Sequence, residues 1–104
     1  ETLGKIVNTP DITFIAKLEA IVLARLSANN DESYTARLSA AGTKRIAQKV
    51  GEEGVELALA ATAGSQQETI DEAADLIYHL IVLLADRGLS LEDIATRLEA
   101  RHGE

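Results

Sequence analysis

The chain contains no cysteine, no methionine and no tryptophan, and aromatic residues make up only 3% of its 104 positions. Without cysteine there is neither a disulfide nor a thiolate metal site, and a reducing compartment is permitted rather than required. With so few aromatics the core must be built from Leu, Ile, Val and Ala, which favours helices packed on helices over a sheet sandwich. Long apolar runs are missing too. The longest, Leu80 to Ala85, has six residues, against the roughly 20 that a membrane-spanning helix needs. The N-terminus lacks the charged-then-apolar layout of a secretion signal, so a cytoplasmic protein with no membrane partner is the default expectation. Position 1 is Glu, which together with the missing Met suggests a chain trimmed or cut from something longer. Positive charge is scarce: the formal net charge is −7. That argues against a nucleic-acid partner, which ordinarily requires a basic face. It leaves phosphorylated small molecules open, because a bound metal reverses the local field.

What is present points one way. Apolar residues form 46% of the chain, too many for general disorder, and the length suits one domain with a small core and a tendency to self-associate. Residues 1–10 have weak periodicity and read as an arm or linker, leaving 11–104 as a single helical domain. Asp11 is placed to cap a helix from about Ile12 to Ala28, with Ile15, Leu18, Val22 and Leu26 at helical spacing. Asn29 to Glu32 is a polar break. Ser33 then offers a cap for a short helix that carries Leu38 and ends at Gly42. A long helix follows, with Thr43 as its expected cap and its end near Ala63. Gly51 and Gly54 weaken it by roughly 1 kcal/mol each relative to Ala, and suggest close approach of a backbone or ligand. Ser65 to Glu68 has the form of a capping box and restarts the chain as a helix to about Arg87. From Leu76 to Ala85 that helix is apolar on every side except at His79, the mark of burial. Gly88 closes it, and Ser90 opens a last helix with Ile94 and Leu98 on one face. The expected architecture is all-α, a bundle of four or five helices, with a second subunit covering part of the central helix.

The chemistry gathers at Lys49-Val50-Gly51-Glu52-Glu53-Gly54-Val55-Glu56 and Glu72-Ala73-Ala74-Asp75. Residues three and four apart are neighbours on a helix, so Glu52, Glu53 and Glu56 share one side of the first helix and Glu72 stacks on Asp75 in the second. Glu56 lies eight residues before Gly64 and Glu72 seven after Ser65; Glu53 and Asp75 lie eleven and ten away. In an antiparallel hairpin each pair is level to within about 1.5 Å of rise. Such a crowd of carboxylates is costly unless something positive neutralises it. A divalent cation with oxygen ligands, Mg²⁺ above all, meets that need, and metal with carboxylates can activate a water while screening phosphate charge. The competing reading is a solvated face, with Lys49 and Glu53 as an ordinary i,i+4 pair. Lys44, Arg45 and Lys49 lie just upstream, where basic groups suit a polyphosphate; ordinary surface positions compete with this for Lys44 in particular. His79 falls four residues after Asp75 and reads as a ligand, a proton shuttle or a satisfied core residue. Ser33, Tyr34 and Thr35 could meet substrate hydroxyls or phosphates at a helix N-terminus, with plain capping as the alternative. No Walker loop, dinucleotide fingerprint, zinc-ligand spacing or Ser-His-Asp order is present.

The runs Ser33 to Thr35, Gly42 to Glu56 and Glu72 to Leu80 together resemble the phosphoribosyl-ATP pyrophosphohydrolases of histidine biosynthesis, over roughly Leu18 to His102. That family belongs to the all-α nucleotide pyrophosphohydrolases, marked by E-x-x-E and, after a spacer, E-x-x-D; the corresponding residues here are Glu53, Glu56, Glu72 and Asp75, with Glu52 as a further acid. The resemblance implies hydrolysis of phosphoribosyl-ATP to phosphoribosyl-AMP and pyrophosphate with Mg²⁺. By the same resemblance Glu52, Glu53, Glu56, Glu72 and Asp75 are the metal ligands, and all but Glu52 are catalytic. Ser33, Tyr34, Lys44, Arg45, Lys49 and His79 are the expected substrate contacts. It further implies a homodimer of intertwined helices and a fused or cooperating phosphoribosyl-AMP cyclohydrolase; residues 1–10 would fit a domain excised from such a fusion. Two rivals stand beside it: a house-cleaning nucleoside triphosphate hydrolase, and a helical interaction module without catalysis.

Overall fold

The structure, a computed structural model, describes residues 11–28 and 33–103. The arm expected at 1–10 and the polar break at Asn29 to Glu32 lie outside those residues. Every regular element described is a helix: α1 (Phe14–Ser27), α2 (Tyr34–Ala41), α3 (Thr43–Ala63), α4 (Gln66–Asp86) and α5 (Leu91–His102). No helix among them is long and apolar enough to cross a membrane.

The hairpin of α3 and α4 is the frame. Each helix has 21 residues, about 30 Å of rise, and among the described helices their mutual packing is the most extensive. The reversal is built as the sequence leads one to expect. Ser65 Oγ accepts from the Glu68 amide at 3.1 Å, and Glu68 Oε1 accepts from the Ser65 amide at 2.7 Å, which completes a capping box. Gly64 suits this tight geometry: a Cβ there would come within 2.6 Å of Glu68 Oε1 and 3.0 Å of the Ala60 carbonyl, so it would displace the Glu68 carboxylate from its capping bond. At the opposite end Thr43 Oγ1 donates to Asp86 Oδ2 at 2.6 Å, joining the start of α3 to the end of α4 and fixing the two as antiparallel.

That bond corrects the expected role of Thr43. Gly42, at φ +100°, is the N-cap of α3, and no side chain caps it. Asp11 is likewise not the cap of α1: Thr13 holds that position, and Asp11 Oδ1 accepts from the Thr13 amide at 3.0 Å in the turn before it. The cap shifts because the first turn is entered two residues late, at Phe14. Ser33 does cap α2, accepting from the Ala36 amide at 2.9 Å.

The core is small and aliphatic. Val22 from α1, Leu38 from α2, Ile46 from α3, and Ile81 and Val82 from α4 form one buried cluster, with Ile15, Leu18 and Leu26 packed against it. α5 hangs on this body by little: Leu91 packs on the core, and its amide donates to Glu19 Oε2 on α1 at 2.8 Å. Ile94 and Leu98 stay 38% and 49% exposed. The segment from Leu76 to Ala85 is not buried all round within one chain, since Ile77 remains 36% exposed. At Gly51 and Gly54 a Cβ would meet no described atom within 4 Å, so among the described residues it is not a backbone of this chain that makes the close approach.

Candidate active site

The hairpin brings together three of the five acids singled out in the sequence. One carboxylate oxygen each from Glu53, Glu56 and Glu72 lies within 4.8 Å of the other two. Glu53 is buried at 5% exposure, Glu72 is half-buried, and Glu56 is exposed. Glu53 and Glu56 are adjacent on α3 by the three-residue spacing. Glu72 reaches them from the second turn of α4, at the height set by the Gly64–Ser65 reversal. Glu52 and Asp75 are exposed and stand outside this group. Glu52 instead accepts from Gln48 Nε2 at 3.0 Å and lies 3.8 Å from Lys49 Nζ.

Electrostatics decides how the cluster can exist. Lys49 Nζ lies 3.4 Å from Glu53 Oε2. Partial burial works to lower the lysine's pKa, but its hydrogen bond to Glu53 and its electrostatic interactions, chiefly with the carboxylates of Glu53 and Glu52, outweigh that and hold it above its ordinary value. Lys49 is thus a lasting cation on one oxygen of Glu53. The other, Oε1, is buried without any partner, and so is Glu72 Oε1. Burial first, then contact with the Glu56 carboxyl and the charges of Glu56 and Glu53, push Glu72 up to about 7. Three carboxyls this close do not all remain ionised without added positive charge.

Two buried carboxylate oxygens without partners are the observation to explain, since buried polar atoms are almost always satisfied. A hard divalent cation fits: the donors are all oxygen, and shared positive charge would satisfy both orphans at once. Imidazole is not offered to this cluster. His79, 6% exposed, has both ring nitrogens engaged, Nδ1 with the Asp75 carbonyl at 2.8 Å and Nε2 with the Tyr34 hydroxyl at 2.9 Å. Of the readings open for it, the satisfied core residue describes its place in this fold.

The remaining candidates lie outside this cluster. Lys44 and Arg45 are exposed at the start of α3. Tyr34 is 43% exposed beside His79. Ser33 spends one lone pair on its capping bond. Thr35 is no surface contact: it is 1% exposed, and its hydroxyl pairs with that of Tyr78. Sequence reading missed Tyr78 as a partner, for nothing in one sequence links positions 43 residues apart. The one available signal was that two of the three aromatic residues stand next to Thr35 and His79.

Fold and site together define an all-helical carboxylate protein in which two antiparallel helices present three acids to one small space. Residues 15–102 match the family described as phosphoribosyl-ATP pyrophosphohydrolase, and the chain belongs to that family. It is 57% identical over 95 residues to the histidine biosynthesis bifunctional protein HisIE of Photobacterium profundum, an alignment that covers 91% of this chain and 46% of that protein. The same-named protein of Campylobacter jejuni is 57% identical over 98 residues, covering 94% and 47%. That of Pasteurella multocida is 59% identical over 93 residues, covering 89% and 46%. The chain therefore spans a little under half the length of these curated relatives.

Proposed function

We propose that this domain hydrolyses 1-(5-phosphoribosyl)-ATP to 1-(5-phosphoribosyl)-AMP and pyrophosphate, in the histidine pathway of a cytoplasm. One observation carries the reading beyond family membership: Glu53, Glu56 and Glu72 converge with two buried oxygens left without partners. These three acids would hold Mg²⁺, and Glu52 and Asp75, each one helical neighbour away, would complete its surroundings. When bound, the ion would acidify a water and screen phosphate charge.

The chain's own residues supply the rest. Lys49 holds Glu53 Oε2, so that Glu53 keeps one fixed orientation with Oε1 uncommitted. A carboxylate of the cluster takes the proton of the attacking water as the phosphoanhydride opens. Arg45 lies one turn before Lys49 and, with Lys44, would pair with phosphate oxygens through charge-assisted hydrogen bonds. Ser33 can still donate its hydroxyl proton to a phosphate after capping α2.

A homodimer is part of the proposal. Val55 and Leu59 on α3 and Ile70 and Ile77 on α4 leave large apolar side chains exposed, and a core this small suits association. A fused or cooperating phosphoribosyl-AMP cyclohydrolase is the proposed functional partner, supported by the word bifunctional in the relatives' names.

The test is pyrophosphate release with and without Mg²⁺. Release that requires the ion and is much faster with phosphoribosyl-ATP than with simple deoxynucleoside triphosphates is the expected result. Comparable turnover of simple triphosphates would make this a house-cleaning hydrolase. No release, with no rise in Tm on adding Mg²⁺, would leave a helical module without catalysis.

A further inference from the structure

The N-terminal turn of α2 is bolted to α4 by two parallel polar links. The Thr35 hydroxyl pairs with the Tyr78 hydroxyl, and the Tyr34 hydroxyl pairs with His79 Nε2 at 2.9 Å. The rings reinforce them: Tyr34 stacks on Tyr78 with centroids 6.1 Å apart, and both meet His79 edge-on at 5.7 and 5.1 Å. His79 lies one turn beyond Asp75 and two beyond Glu72, so this bolt registers Tyr34 to the acidic side of the hairpin.

The direction of each bond follows from chemistry. The Asp75 carbonyl can only accept, so His79 Nδ1, 2.8 Å away, carries the ring proton. In the neutral ring Nε2 is then an acceptor, and the Tyr34 hydroxyl must donate to it. That commits the sole proton of the phenol to the protein. A phosphate oxygen accepts only, and so has nothing to gain from Tyr34. What Tyr34 still offers outward, at 43% exposure, is an oxygen lone pair and part of a ring face.

We propose that His79 is a positioning residue for Tyr34, fixing its hydroxyl as a donor inward so that Tyr34 meets the substrate only as an acceptor, from a sugar hydroxyl or a base amine. This deepens the proposed function and rests on it. Tyr34 is then a specificity residue for the nucleoside part of the substrate, and the phosphates are left to Ser33, Lys44 and Arg45.

The first readout needs no turnover. Ring ¹⁵N spectra of the metal-free protein at about pH 8, above the ordinary imidazole range, should show a protonated Nδ1 and a bare Nε2. The Nε2 signal should shift in Tyr34→Phe. A protonated Nε2 overturns the proposal. The second readout is kinetic, on parent protein already shown to release pyrophosphate from phosphoribosyl-ATP. Tyr34→Phe should raise KM severalfold, up to about tenfold, the range of one net hydrogen bond, with little change in kcat. His79→Phe should do the same, and His79→Gln, whose carbonyl can accept from Tyr34, should recover part of the loss. Unchanged KM in Tyr34→Phe, or no recovery in a folded His79→Gln, contradicts it. The Tyr34→Phe penalty should vanish with one of two analogues, one with the base amine replaced by a carbonyl, the other lacking the ribose hydroxyl. A penalty retained with both overturns the acceptor role. If the parent releases no pyrophosphate, the proposed function fails while the spectrum still decides the His79 tautomer.

Discussion

His79 and Glu53 are almost equally buried, at 6% and 5% exposure, and both are polar groups at the heart of a small helical domain. Around His79 every polar atom has found a partner: the ring bridges a carbonyl and a phenol, and the neighbouring Thr35 and Tyr78 hydroxyls satisfy each other. Around Glu53 the opposite holds, with one oxygen tied to Lys49 and another, like that of Glu72, left without any partner. A satisfied buried network stabilises a fold, whereas an unsatisfied one costs stability. The difference separates the part of this hairpin that holds shape from the part we propose holds a ligand.

Breaking each region should therefore have opposite signatures. Glu53→Gln carries the largest expected effect: Mg²⁺-dependent pyrophosphate release should fall by more than about 100-fold, beyond the loss usual for residues that merely support a ligand. Its metal-free Tm should hold or rise, because like-charge repulsion is relieved. A clear fall in that Tm would place Glu53 among the structural residues instead. His79→Ala should do the reverse to stability, removing about 2–3 kcal/mol by losing a buried ring and its hydrogen bonds. Chemical denaturation measures this directly, and a loss below about 0.5 kcal/mol would deny the network its structural role.

The pH dependence sharpens the same contrast. Glu72 titrates at about 7 in the folded, metal-free protein, against 4.5 ordinarily. Between those values the folded state holds a proton that the unfolded state has lost, so stability falls as pH rises. Glu72's contribution is complete below about pH 4.5 and gone above about 7. Metal-free Tm should accordingly drop over that window, and Glu72→Gln should flatten this part of the profile; an unchanged slope would mean another group sets it. The smallest effect belongs to Gly51→Ala. Its Cβ would meet no atom of the described residues within 4 Å, so the metal-free helix should gain up to about 1 kcal/mol. Lost turnover in that more stable variant would show that substrate or a second subunit approaches there.

Much of this was legible in the sequence because it is local. The capping box at Ser65 to Glu68, the cap at Ser33 and the aliphatic spacing that buries Val22 each depend on residues within a turn or two. The level placement of Glu56 and Glu72 followed from counting outward from Gly64 and Ser65. What could not be read is non-local. Thr43 fits a cap by type, yet its hydroxyl is drawn to Asp86 across the hairpin. Asp75 matches Glu53 in height, but height says nothing of rotation about the helix axis, and Glu72 is the residue that joins the cluster. The pairing of Tyr34 with His79 spans 45 positions, and no periodicity reports it.

The central claim is that Glu53, Glu56 and Glu72 exist as a cluster in order to hold a divalent cation. A crystal grown with Mn²⁺, whose anomalous signal marks the ion, tests it most directly. The account predicts an anomalous peak bonded to oxygens of all three side chains, with the orphaned Oε1 atoms of Glu53 and Glu72 satisfied. A map with no peak there, and those carboxylates turned to bulk water, would contradict it.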